Sequence, residues 1–161
     1  MTKKVPIQIT LNGEERAEFV DSGATLLRAL RDKFGDTSPK GGCHQGTCGA
    51  CSVMIDGELH LSCLTLAEVC EGRAIETTAG LAKDGVLHPL QQAFLEGFAA
   101  QCGFCTPGMI MAAKALLDHT PSPTRDEVVE ALSGNICRCT GYEPVIKAVL
   151  SAARANSQKV A

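Results

Sequence analysis

The chain has 161 residues, with 18 acidic against 15 basic side chains and a net charge of −3. That length suits one ordinary domain or two small ones, and the charge argues against a nucleic-acid partner. With no Trp, one Tyr and five Phe the apolar core is limited, so nine cysteines need a chemical account. Met1-Thr2-Lys3-Lys4-Val5-Pro6 holds no apolar export segment and no twin-arginine pair, and no apolar run reaches spanning length. A cytoplasmic protein with no membrane span is expected. In that compartment clustered thiols more often bind metal than pair as disulfides.

Val5, Ile7, Ile9 and Leu11 alternate with polar neighbours, which predicts a half-buried strand. Asn12-Gly13 is a hairpin turn, and Glu15 to Val20 the returning strand. Leu26, Leu27, Leu30 and Phe34 recur at helical spacing until Gly35 stops the helix. Next comes the stretch Cys43-His44-Gln45-Gly46-Thr47-Cys48-Gly49-Ala50-Cys51, with Cys63 twelve positions later. Its C-x4-C-x2-C spacing is that of a plant-type 2Fe–2S loop. A zinc knuckle fits less well, because zinc sites usually show two separated pairs. Cys51, Val53 and Ile55 alternate with Ser52 and Met54, Asp56-Gly57 turns, and Leu59 and Leu61 lead to Cys63. A closing strand is expected near Ala74 to Thr78. The first half therefore reads as a small mixed sheet with one helix packed across it.

From about Gly80 the pattern turns helical. Leu90, Phe94 and Phe98 share one helix face. Thr106-Pro107 opens a second helix running through Met109 to Leu117, since proline is tolerated in a first turn. Pro121-Ser122-Pro123 breaks the chain, and Thr124 with Glu127 forms a capping box for a third helix through Leu132. Ser133-Gly134-Asn135 ends it. Pro144 opens a fourth helix striped by Val145, Val149 and Ala153, and the polar tail from about Asn156 is expected to fray. The fold class is α+β, with domains at 1–79 and 80–161.

The helical half carries a second set of thiols. Cys102-Gly103-Phe104-Cys105 joins its first two helices, and Cys137-Arg138-Cys139 joins its last two. Two such loops at one end of a bundle make a four-ligand site. Helix N-termini after Cys105 and Cys139 would aim positive dipole ends at an anionic group. Spacing alone leaves iron–sulfur, zinc and a C-x2-C redox dithiol open.

Three motifs together carry a resemblance over about residues 5–153. They are Gly42 through Cys51, Gln101 through Met111, and Gly134-Asn135-Ile136-Cys137-Arg138-Cys139-Thr140-Gly141-Tyr142. They resemble the iron–sulfur subunit of the molybdenum hydroxylases, the family of xanthine dehydrogenase, carbon monoxide dehydrogenase and 4-hydroxybenzoyl-CoA reductase. The resemblance implies a β-grasp ferredoxin-like domain whose Cys43, Cys48, Cys51 and Cys63 hold one 2Fe–2S cluster. It implies a four-helix domain whose Cys102, Cys105, Cys137 and Cys139 hold a second. Gln101 and Cys139 match positions that hydrogen-bond the pterin of a large molybdopterin subunit, and the other cluster faces FAD on a medium subunit. The chain would then relay electrons within a dimer of heterotrimers, with no catalytic residues of its own. The Cys105-Thr106-Pro107-Gly108-Met109 and Cys139-Thr140-Gly141-Tyr142 stretches look more like the flavin-containing branch than the flavin-free one that feeds a cytochrome. Rival readings are a stand-alone ferredoxin and a zinc-stabilised interaction module.

Several residues stay outside these sets. His44 is read as a solvent-facing loop residue, Cys70 as a small buried hydrophobe, and Met109 and Met111 as helix packing. His60, His88 and His119 are read as surface or capping groups.

Overall fold

The structure is a computed structural model that describes residues 3–159 in backbone and 3–155 in side chains. Strand β1 (Lys4–Leu11) buries Ile7, Ile9 and Leu11 on one face, as the alternation requires. Asn12 and Gly13 both take positive φ, the geometry of a tight hairpin turn, and deliver the chain to β2 (Glu14–Asp21). Thr25 caps helix α1 (Leu26–Asp32), its hydroxyl accepting from the Arg28 N–H, and the chain turns out of the helix through Lys33 and Gly35. Strands β3 (Ser52–Ile55) and β4 (Glu58–Leu61) form a second hairpin around Asp56-Gly57, and β5 (Ala74–Glu76) closes the sheet. The strand order is β2-β1-β5-β3-β4, with β1 and β5 parallel and the other pairs antiparallel. Leu26, Leu30 and Phe34 pack with Ile9, Val53 and Ile75 to make the first core. This is the expected β-grasp arrangement.

The second half contains α2 (Pro89–Glu96), α3 (Thr106–His119), α4 (Arg125–Leu132) and α5 (Glu143–Lys159). Their apolar faces meet in a second core that includes Leu90, Phe94, Met109, Met111, Val128 and Val149. The Thr124–Glu127 capping box is present in full. His88 also caps, its Nδ1 accepting from the Leu90 N–H while Gln91 returns a bond to the His88 N–H. Part of the expected fraying from Asn156 falls outside the described residues, and α5 runs on to Lys159.

Two expectations need correction. Phe98 is not on the face of α2. The helix ends at Gly97, and Phe98 takes positive φ and stands 84% exposed. The i, i+4 spacing continues one step past the stop. Nor is the sheet covered by one helix alone. Helix α3 packs against β3 on the opposite face, so all four residues of β3 are buried. Met54 consequently belongs to the helical core, while its neighbours Val53 and Ile55 belong to the first. Lys114 of α3 adds an ion pair to Glu76 of β5 at 3.3 Å.

Candidate metal centres

The nine thiols are all unbridged, and eight of them fall into two groups. The first lies on the loop before β3. There the Cys43 sulfur accepts from the Gln45 N–H at 3.5 Å and the Thr47 N–H at 3.3 Å. These contacts, with the Thr47 side chain foremost, lower the Cys43 pKa to about 5. Cys48 lies beside Cys43, and Cys63 beside Cys51, so this group consists of two neighbouring pairs. Cys51 and Cys63 are buried, and burial pushes Cys51 up to about 11. Cys43 and Cys48 form the outer pair.

The second group sits where α2 meets α3 and where α4 meets α5. Cys139 faces Cys102 with 3.7 Å between sulfurs, and both are exposed. Cys105, at the N-cap of α3, lies beside Cys137. Burial first, and Cys137 second, push Cys105 up to about 12. Burial also pushes Cys137 upward, but donors from Thr140 and Cys139 outweigh it and bring it down to about 7. The Thr140 hydroxyl stands 3.2 Å from that sulfur, and the Thr140 and Cys139 N–H groups 3.4 Å.

A pair of thiolates on one tetrahedral ion with metal–sulfur bonds of about 2.3 Å would sit close to the 3.7 Å seen between Cys102 and Cys139. Four thiols per group suit a binuclear centre. Among the described residues, no three His, Cys, Asp or Glu side chains converge tightly enough for a single ion. The donor chemistry, all sulfur with N–H groups turned toward it, fits an anionic iron–sulfur group.

The other singled-out residues fall as follows. The Gln101 side chain is exposed and donates to the Cys139 carbonyl at 3.0 Å, tying the two thiol loops of the helical half together. His44 is exposed in a basic cleft of about 370 Å³ that also includes Arg31, Lys40 and Phe104. Cys70 is 1% exposed in the first core, and Met109 and Met111 are buried in the second. Asn135, read above only as part of a helix end, and Tyr142 and Gly108, to which no separate role was attached, all lie against the thiol loops. The Tyr142 hydroxyl accepts from the Cys137 N–H and donates to the Asn135 carbonyl. Only a motif hinted at these residues, and the partner that Asn135 and Gly108 share, Gly49, is distant in sequence.

Comparison with known proteins agrees with this chemistry. A 2Fe–2S iron–sulfur cluster binding domain family matches residues 9–82, and a [2Fe–2S] binding domain family matches residues 77–150. The nicotine 6-hydroxylase small subunit of Paenarthrobacter nicotinovorans is 50% identical over 149 residues, covering 92% of this chain and 90% of that one. The xanthine dehydrogenase iron–sulfur-binding subunit of Escherichia coli O157:H7 is 43% identical, covering 92% of this chain and 94% of the other. Quinoline 2-oxidoreductase from Pseudomonas putida 86 contains a chain of the same fold, with TM-score 0.94, 45% identity and 98% coverage of both. Aldehyde oxidoreductase from Desulfovibrio gigas matches with TM-score 0.91 and 44% identity over 96% of this chain but only 17% of its own. The same unit therefore occurs both as a separate subunit and within a longer chain. Sulfur chemistry, fold and kinship converge: the chain belongs to the family of iron–sulfur, electron-transfer subunits of the molybdenum hydroxylases.

Proposed function

We propose that Cys43, Cys48, Cys51 and Cys63 hold one 2Fe–2S cluster and that Cys102, Cys105, Cys137 and Cys139 hold a second. Each cluster, when bound, takes up and releases single electrons. We further assign residues 1–79 to a ferredoxin-like domain and 80–161 to a helical cluster-binding domain, a division supported by the overlap of the two family matches at 77–82. The observation that carries the two-cluster reading is the pairing of sulfurs within each group, one pair inward and one toward the surface.

The residues divide the work. In the first group the loop N–H groups hold the Cys43 sulfur as a thiolate, and burial of Cys51 and Cys63 excludes water. In the second, Thr140 and the Cys139 N–H hold the Cys137 sulfur. The exposed Cys102–Cys139 pair, with Gln101 beside it, faces a large molybdopterin subunit, where Gln101 and Cys139 contact the pterin. The Cys43–Cys51 loop faces a medium FAD subunit. Electrons then run from the large subunit through the helical domain to the ferredoxin-like domain and on to flavin, in an assembly of two heterotrimers. In support, two relatives are named as small or iron–sulfur subunits of a hydroxylase and a dehydrogenase.

Metal analysis and electron paramagnetic resonance of the reduced protein test this. The expected result is about four irons per chain and two distinct signals. About two irons, or zinc in half the sites, would remove the second cluster. Gln101→Ala tests the pterin contact in the reconstituted complex. Both signals are expected to persist while reduction of the helical-domain cluster by substrate slows.

A further inference from the structure

The two thiol loops meet in a narrow seam between sheet and bundle. The Ile136 N–H donates to the Cys48 carbonyl at 3.0 Å. Beside it, the Asn135 amide nitrogen donates to the Gly49 carbonyl at 3.0 Å. Asn135 is one of four polar residues buried among the described ones, at 4% exposure. The seam admits no extra atoms. A Cβ on Gly49, which has φ +68°, would stand 2.5 Å from the Asn135 amide nitrogen, and one on Gly108 would strike the Gly49 carbonyl.

The Asn135 amide is not needed for local bonding. The Gly49 carbonyl already accepts from the Ser52 N–H at 3.1 Å and the Ser52 hydroxyl at 2.7 Å. The end of α4 is closed by the Asn135 backbone N–H on the Leu132 carbonyl, not by its side chain. The Asn135 carbonyl is separately held by Tyr142. What remains for the side chain is direction. It fixes how the 135–137 turn lies on the Cys48–Gly49 peptide, and so how Ile136 N–H meets the Cys48 carbonyl.

We propose that Asn135 is a positioning residue for electron passage between the two cysteine groups. From the Cys48 sulfur to the Cys137 sulfur the chain offers covalent bonds interrupted by one hydrogen bond, Ile136 N–H to Cys48 carbonyl. Electron transfer weakens steeply when such a gap opens, and Asn135 holds this one closed. The step moves one electron and makes or breaks no bond: the helical side is oxidised by one electron and the sheet side reduced by one. The inference rests on the ligand assignment proposed above.

The test uses the full complex with Asn135→Ala, with Asn135→Leu, which keeps roughly the size but loses the N–H donor and adds no charge, and with Thr124→Ala as a control. Thr124→Ala weakens the N-cap of α4 away from the seam. Four quantities are read: iron per chain, the midpoint potential of each centre, the magnetic interaction between the two reduced centres, and the transfer rate between them after rapid mixing. Both Asn135 variants are expected to keep their iron and both potentials, to show weaker magnetic interaction, and to transfer electrons several-fold more slowly. Thr124→Ala is expected to lower Tm with the rate unchanged. Unchanged rate and interaction in Asn135→Ala would overturn the proposal. So would a rate loss that tracks a shifted potential, or iron loss with a larger fall in Tm than the control. About two irons in the wild type would instead refute the ligand assignment, and this inference with it.

Discussion

The two cysteine groups have similar chemistry and opposite origins. Three members of the first lie within nine consecutive residues, and the loop supplies its own donors from Gln45 and Thr47. The second joins Cys102 to Cys139 across 37 positions, and packing of α2 on α5 and of α3 on α4 brings them together. One cradle is shaped by nearby backbone, the other by a core. The lesson is that the helical cradle is the one exposed to damage far from its ligands.

The largest expected effect comes from Cys105→Ser. This residue begins α3 and is half-buried in a small bundle, so its loss removes a ligand and a folding constraint together. Iron is expected to fall by about half and the helical half to melt earlier, with the first signal retained. Cys70→Ser, in a buried position outside both groups, is expected to keep both signals and cost about 1–3 kcal/mol. The reverse pattern would break the ligand assignment.

Met54→Ala comes next. Met54 stands on β3 yet packs into the helical core, so truncation is expected to cost about 2–5 kcal/mol. Denaturant unfolding followed at each centre's own absorption checks the comparison. The helical signal is expected to disappear at lower denaturant than the loop signal. Simultaneous loss would mean that the two cradles unfold as one unit. A smaller loss, about 1 kcal/mol, is expected for Thr124→Ala, whose hydroxyl and N–H complete the capping box.

The smallest effect is a pH dependence. Burial, then the charge of Lys114, lowers the His88 pKa below its ordinary 6.5, against opposing pulls from Glu76 and Asp118. Its Nδ1 must stay unprotonated to accept from the Leu90 N–H. The unfolded chain therefore takes up the proton first as pH falls. Stability is fully present above about 6.5 and declines below it until the folded-state pKa is passed. His88→Asn, which caps without titrating, is expected to flatten that slope in thermal melts at pH 7.5 and 5.5. An equal slope in the variant would assign the dependence elsewhere.

The β1–β2 hairpin, α1, the thiol loop and the capping box of α4 were legible because each signal lies within a few residues of the group it acts on. Phe98 misled for the same reason: its spacing continues a pattern that Gly97 had already ended. The bond of Gln101 to the Cys139 carbonyl spans 38 positions that no local pattern reports.

By itself the sequence determined the kinds of atoms available to a metal, the number of thiol groups, the hairpins, and the helix starts. All of these follow from backbone preference and side-chain chemistry between near neighbours. Tertiary structure alone decided that α3 covers the second face of β3, that Met54 serves the helical core, and that Asn135 seats on Gly49. Those outcomes depend on which surfaces can close on one another without leaving voids or colliding. Such complementarity belongs to the folded solid, and the close approach at Gly49 and Gly108 acquires meaning only once the two surfaces meet.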